Sequence, residues 1–175
     1  SGLVNKLARL LAPLFRKLMP EVPTGHPALG SISMNMAANM LGLDNAATPM
    51  GIRAMEQLQE LNPVKHTASN AQILFLVLNT SAVTIIPITV MLYRAQMGAA
   101  DPAAIFLPLL LATSASTFVG LLAVSLVQKL SIFNRVIGLY FLGFSAVIAT
   151  LVWALMTLPA DEMSAMSSAL GNFLL

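Results

Sequence analysis

The first residues of the chain carry apolar side chains at helical spacing. Leucines recur every three or four positions, at Leu3, Leu7, Leu10, Leu14 and Leu18, and this is the period of one face of an α-helix. The basic residues occupy other positions, namely Lys6, Arg9, Arg16 and Lys17. The pattern predicts a basic amphipathic helix over residues 1–19 that lies at a membrane surface with its cations toward anionic headgroups. The alternative is a helix that packs on the rest of the protein.

A proline-rich connector, PEVPTGHP at residues 20–27, leads into a short polar stretch. Residues 28–43 carry no formal charge but several serines and asparagines, and they are too short for a full span, which takes about 20 mainly apolar residues. The sequence GLDN at 42–45 should interrupt a helix, and Thr48-Pro49 should begin another, because threonine caps helices and proline suits their first turn. We therefore predict a hairpin that enters the membrane partway and returns, with Asn45 or Thr48 as the cap.

Three uncharged stretches follow, at residues 67–93, 102–128 and 136–158. The first two have polar centres, at 79–84 and 113–117, whereas the third has only Tyr140 and Trp153 near its ends, where interfacial aromatics belong. A polar centre at membrane depth indicates a broken helix whose freed backbone groups meet protein or water. For 113–117 the alternative is that serine and threonine hydroxyls bond back to their own helix. The predicted fold is all-α: a polytopic membrane protein with about three spans, some of them broken.

The composition supports a membrane location. Of the 175 residues, 57% are hydrophobic and 9% are charged, against about 25% charged in soluble domains, and the mean hydropathy is +0.81. The formal charge is only +2, and no basic face accompanies an aromatic platform, so nucleic acid is not an expected partner. The lysines and arginines of the short loops favour a cytoplasmic location for residues 50–67 and 129–135.

The sequence offers few groups for catalysis or metal binding. It has no cysteine, which excludes disulfides, thiolate metal sites and a cysteine nucleophile. His26 and His66 are isolated, and the methionines form no ladder with histidine, so we predict neither a metal nor another cofactor. Because no Ser-His-Asp set, phosphate-binding loop or pair of carboxylates in an apolar segment is present, we do not expect an enzyme.

The candidate chemistry lies at the three predicted breaks, residues 43–48, 79–84 and 113–117. Ends of half-helices offer free N–H groups with a positive dipole and free carbonyls, which transporters use to bind polar solutes and ions. Asn35 and Asn39 share a helix face; we expect Asn35 to bond to a neighbouring helix, whereas Asn39 suits either a neighbouring helix or a solute. The predicted solute-binding set contains no catalytic residue and consists of Asn39, Asn45, Thr48, Asn79, Thr80 and Ser81.

The stretches NMAANMLGLDNAATPMGIRAM and SNAQILFLVLNTSAVTIIP resemble the spore maturation protein A family, which carries the nucleoside recognition, or Gate, domain. The resemblance covers most of residues 1–130. It implies a multi-pass protein of the bacterial inner membrane, in a group with relatives of concentrative nucleoside transporters and of the membrane part of ferrous iron transport protein B. It also implies a Gate-type domain over residues 20–130.

Residues 131–175 resemble the join to a spore maturation protein B half in fused proteins, with a further span and the start of another segment. In this family one or two further hydrophobic segments usually precede the amphipathic helix, and we expect this sequence to begin after them. Because the chain stops at GNFLL, within a rising apolar segment, we expect a fragment of a longer polypeptide.

Two functions remain open from the sequence. The first is a transport-type membrane protein, one half of a two-part assembly and a homo-oligomer, that handles a nucleoside-like or other small polar solute. The second is a membrane scaffold for envelope or spore-core maturation, in which the polar residues join the two halves. The hypotheses differ in whether the polar breaks bind a solute or only pack.

Overall fold

The computed structural model describes residues 2–130 and 135–157, and within them every regular element is helical, as predicted. The helices are α1 (Gly2–Leu18), α2 (Pro27–Met40), α3 (Asp44–Leu61), α4 (Asn70–Thr80), α5 (Ile88–Gln96), α6 (Phe106–Val127) and α7 (Arg135–Thr157), with a 3-10 turn at Pro102–Ile105. The segment predicted to start after residue 158 lies outside the described residues.

Helix α1 packs on the protein through its apolar face. Phe15 and Leu18 belong to the hydrophobic core, and Tyr140 of α7 donates a hydrogen bond to the carbonyl of Leu10. Leu3 and Leu10 remain exposed, and so do the four basic side chains of the helix. The chain therefore uses α1 as a packed helix, the alternative named above, and contact of its basic face with lipid stays a prediction.

Helices α2 and α3 form a helical hairpin around a glycine, and its entry into the membrane stays a prediction. Gly42 has a φ of +65°, its N–H donates to Asn39 O, and the N–H of Leu43 donates to Ala38 O at 2.9 Å. This pair of bonds is the Schellman motif, which ends helices at a left-handed glycine. A new helix follows at once, because the carbonyl of Leu43 accepts from the N–H groups of Ala46 and Ala47, both at 2.9 Å.

The predicted cap of the second hairpin helix is wrong. Helix α3 begins at Asp44, its N-cap is Leu43, and Pro49 lies inside it, so Asn45 and Thr48 are not caps. The physical reason is that the backbone turn after α2 already supplies the first acceptor carbonyl of α3. No side-chain cap is then needed to begin the helix.

The hairpin packs at the centre of the fold. Helix α2 is buried on most of its surface and packs against α3, and Ala28 of α2 and Ala54 of α3 are both fully buried. Around this contact the core draws on several helices, including Ile32, Leu58, Leu74 and Phe75.

The predicted break within residues 67–93 is present. Helix α4 starts with a capping box between Ser69 and Gln72 and ends at Thr80, and α5 starts only at Ile88. Two helices of 11 and 9 residues, joined by a non-helical link at 81–87, therefore replace one continuous span.

The predicted break at residues 113–117 is wrong, because α6 is continuous. The hydroxyls of Thr113 and Thr117 donate to the carbonyls four residues earlier, at 2.9 and 3.0 Å, which is the back-bonding alternative. The stretch Pro102–Val127 has 26 residues and reaches a mean hydropathy of 2.0. In the part of the chain that the structure describes, it alone is long and apolar enough to cross a membrane, so the number of spans stays a prediction.

Candidate functional site

The two interruptions of the helices, residues 41–43 and residues 81–87, touch each other through their backbones. The carbonyl of Met40 accepts hydrogen bonds from the N–H groups of Ile85 (2.7 Å) and Ile86 (3.2 Å). A Cβ atom added at Gly42 would overlap the carbonyl oxygen of Ile86 and lie 3.4 Å from the nitrogen of Ile88. We call this contact between the two interruptions the crossing.

A chain of three asparagines lies beside the crossing. The side-chain nitrogen of Asn39 donates to Asn79 Oδ1 at 2.9 Å and to Asn35 Oδ1 at 3.3 Å. Asn35 Nδ2 donates to the carbonyl of Ala47 (2.8 Å), and Asn79 Nδ2 donates to the carbonyl of Phe75 (3.1 Å). Hydrogen bonds therefore tie α2 to both α3 and α4 at the level of the crossing.

This chain fixes the orientation of the Asn39 amide. Backbone carbonyls only accept hydrogen bonds, so the amide nitrogens of Asn35 and Asn79 must face the backbone carbonyls to which they bond. The amide oxygens of Asn35 and Asn79 then face Asn39. Asn39 can satisfy both oxygens only with its two N–H groups. Its own Oδ1 accepts no hydrogen bond from the described residues, and the side chain is partly exposed. The crossing thus presents one accessible amide oxygen.

Helix α6 holds the second interruption by its threonines. Thr113 Oγ1 accepts from the N–H of Thr84 at 3.2 Å, and Thr117 Oγ1 shares its single hydrogen between the carbonyl of Ser81 and that of Thr113 in its own helix. Gly120 allows the close approach, since a Cβ there would lie 3.1 Å from Ser81 Oγ. These hydroxyls satisfy backbone groups that the interruption of α4 leaves without helical partners.

The double substitution Thr113→Val and Thr117→Val should therefore destabilise the fold. Valine keeps the shape but leaves the part-buried Thr84 N–H and Ser81 carbonyl without these partners, at a cost of about 1 kcal/mol for each hydrogen bond. We expect a lower thermal unfolding temperature in detergent. Thr150→Val is the matched control, because Thr150 Oγ1 bonds to the carbonyl of Ala146 in its own helix. Equal unfolding temperatures for the double variant and the control would show that the hydroxyls do not hold the link.

Of the six predicted site residues, the structure brings three together. Asn39 and Asn79 are hydrogen-bonded, and Ser81 contributes its carbonyl to the contact with α6. Thr80 is exposed, and its hydroxyl bonds to the carbonyls of Leu76 and Val77 in its own helix. Asn45 and Thr48 are exposed on the first two turns of α3. Binding of a solute by any of the six stays a prediction.

Several residues of the crossing were not predicted from the sequence. No sequence pattern marks the carbonyl of Met40 as an acceptor or predicts the close backbone approach at Gly42. A glycine directly after a helix does, however, predict a left-handed turn. The expectation for Asn35 is confirmed by its bond to Ala47 of α3. Gly51 leaves room for it, because a Cβ there would lie 2.8 Å from Asn35 Nδ2.

A second set of buried amides closes the loop between α3 and α4. Asn62 is only 4% exposed, and its nitrogen donates to Thr67 O at 2.7 Å and to the side-chain oxygens of Gln59 and Gln72 at 3.2 Å. Gln72 Nε2 also donates to Gln59 Oε1 at 2.9 Å. These mutual bonds account for the cluster as a structural feature of the loop.

Comparison with known proteins gives a family match and one close relative. The model of the family described as Nucleoside recognition (Gate) matches residues 1–97. Over 113 residues, the chain is 46% identical to spore maturation protein A of Bacillus subtilis (strain 168). The aligned region covers 65% of this chain and 58% of the relative. The matched part is therefore little more than half of that relative. No solved structure matches.

Proposed function

The chain belongs to the nucleoside recognition, or Gate, family, and from that premise we propose that it is a transport-type membrane protein whose crossing binds a small polar solute. In this proposal it forms one half of a two-part assembly with a spore maturation protein B-like half. The observation that carries the proposal is the accessible Oδ1 of Asn39 beside two interrupted helices.

The level of the crossing along α6 supports this function. Thr113 and Thr117, which contact the second interruption, lie near the middle of Pro102–Val127. If this helix spans the bilayer, the crossing lies near its midplane. Interrupted helices that meet at the midplane are the arrangement in which secondary transporters bind their solutes.

The outer ends of the two half-helices α4 and α5 lie near the two ends of the stretch Pro102–Val127. At one end, Gln128 Nε2 donates to the carbonyl of Asn70 at 2.9 Å. At the other end, Arg94 donates to the carbonyls of Asp101 and Pro102, each at 3.2 Å. We therefore propose that α4 and α5 form one broken span, with the residues at these two ends near opposite membrane surfaces.

The chemistry of the crossing suits a solute that donates hydrogen bonds. An amide oxygen accepts from hydroxyl and N–H groups, and the ribose and base of a nucleoside carry both. The start of α3 adds backbone N–H groups and the positive end of a helix dipole, because no side chain caps it. An uncharged polar solute of nucleoside size is accordingly our first candidate.

Uptake by the full-length protein in liposomes tests the proposal. We expect accumulation of at least one member of a panel of uridine, adenosine, a neutral amino acid and a sugar. Asn39→Ala and Asn79→Ala should lower the initial rate at least tenfold, because each breaks the pair that orients the amide oxygen. Asn5→Ala is the control, since Asn5 is exposed on α1. No uptake of any panel member, with the protein correctly assembled, would contradict the proposal.

A second candidate is the scaffold, and one observation favours the feature that separates it from transport, namely polar residues that pack and bind no solute. Asn35, Asn39 and Asn79 direct all their amide N–H bonds to groups of this chain, as asparagines do when they join helices within membranes. Co-purification of the two halves separates the candidates. If Asn39→Ala dissociates the halves and the wild type takes up no solute, the scaffold function is supported and transport is not.

A further inference from the structure

Helix α3 exposes one face along its whole length, which is mixed polar and apolar in its first half and charged in its second. We call this the outer face of α3; its exposed residues are Asn45, Ala46, Thr48, Pro49, Ile52, Arg53, Glu56 and Glu60. The residues that pack toward the core, Ala47, Ala54 and Leu58, lie on the other side of the helix. The face begins beside the first interruption and ends at the loop of residues 62–69.

The outward faces of the other long helices are different. Exposed side chains on α4, α6 and α7 carry no charge and are mostly apolar, as with Leu76, Val119 and Leu142, which are 47%, 62% and 71% exposed. Such faces suit lipid. The outer face of α3 carries Arg53 and Glu56, and neither has a charged partner among the described residues. Unpaired charges are costly in hydrocarbon and in a dry interface, so water is the environment that fits them.

A shallow surface depression, called the cavity below, lies at the loop end of this face and is open to its surroundings. It is lined by Met55, Glu56, Gln59, Glu60, Lys65 and Gln72. Glu56 and Glu60 belong both to the cavity and to the outer face, so the two are continuous. From the cavity, α3 leads back to Asn45 in its first turn, next to the residues of the crossing.

We propose that the outer face of α3 is the wall of a water-filled route, open at the side of residues 62–69, by which the solute reaches the crossing. The claim that a solute uses this route rests on the proposed function. The claim that water reaches the outer face rests only on the exposed residues of that face. Glu56 and Glu60 are balanced by Arg53 and Lys65, so the route favours neither cations nor anions. It fits an uncharged or zwitterionic polar solute.

Labelling of single cysteines tests the route; this chain has no native cysteine, and any cysteine elsewhere in the full-length protein is first replaced by serine. The probe is a charged, membrane-impermeant thiol reagent added from either side of vesicles that hold the full-length protein. Ile52→Cys reports on the outer face, and Val119→Cys on α6 is the matched control, because the two native side chains are 58% and 62% exposed. Val64→Cys, in the loop, identifies the side of residues 62–69.

We expect Ile52→Cys to react at least tenfold faster than Val119→Cys and from the same side as Val64→Cys. A rate as low as that of Val119→Cys would overturn the proposal, since lipid or another protein segment would then cover the face. Labelling only from the opposite side would overturn it too. If Ile52→Cys is labelled fast but the protein takes up no solute, transport is contradicted and the water route is supported. If the protein takes up solute but Ile52→Cys is not labelled, transport is supported and the water route is contradicted.

Discussion

Gly42→Ala should disrupt the crossing and lower the thermal unfolding temperature of the purified protein by about 6 °C or more. The left-handed conformation at φ +65° costs a side chain about 1–2 kcal/mol. The added Cβ would also overlap the carbonyl oxygen of Ile86, which is backbone and cannot rotate away. A total loss above about 3 kcal/mol corresponds to this temperature shift, at about 2–4 °C per kcal/mol for a chain of this size.

Gly30→Ala is the matched control for Gly42→Ala. Gly30 lies inside α2, and nothing lies within 4 Å of a Cβ built there. Alanine is better than glycine in a helix by about 1 kcal/mol, so this variant should unfold at the same temperature as the wild type or slightly higher. If Gly42→Ala unfolds at the temperature of Gly30→Ala, the two interruptions do not meet as described.

Asn39→Asp should be more damaging than Asn39→Ala. The carboxylate has no N–H group, so it would face the oxygens of Asn35 and Asn79 without a single hydrogen bond, where Asn39 now donates to both. A charge near the bilayer centre costs about 2.5–3.5 kcal/mol more by insertion scales. Alanine only removes the two bonds. We expect a lower unfolding temperature and a lower yield of membrane-inserted protein for Asn39→Asp.

Asn5→Asp makes the same chemical change on the exposed side of α1. Surface substitutions of this kind usually change stability by no more than about 0.5 kcal/mol, so this variant should behave as the wild type. Equal stability of Asn39→Asp and Asn39→Ala would mean that the amide nitrogen of Asn39 does not lie between two oxygens.

The sequence allowed prediction of the features that depend on local pattern. The period of leucines indicated α1, GLDN at 42–45 indicated the first interruption, and the polar centre at 79–84 indicated the second. The predicted bounds, 43–48 and 79–84, overlap the observed interruptions at 41–43 and 81–87 only in part. The start of α3 was wrong because the Schellman motif depends on a bond from Leu43 to Ala38, and this bond has no side-chain signature. Short motifs thus located the breaks but not their hydrogen bonds.

The contacts between distant residues were beyond local pattern. Asn39 and Asn79 are 40 positions apart, and no sequence pattern in either segment predicts that the two side chains are hydrogen-bonded. Thr113 and Thr117 were ambiguous for a different reason: one hydroxyl can bond to its own helix and to a neighbouring segment, and these two do both. The polar side chains of residues 113–117 therefore bond to the interruption at residues 81–87, and α6 itself is continuous.

Equilibrium binding tests the central claim, that the crossing binds a small polar solute, most directly. Radiolabelled uridine and the other panel members would be added to purified full-length protein, to Asn39→Ala and to Asn5→Ala. The account predicts saturable binding of at least one member, unchanged in Asn5→Ala and weakened at least tenfold in folded Asn39→Ala. Saturable binding that Asn39→Ala leaves unchanged, or no binding of any member to the folded wild type, would contradict it.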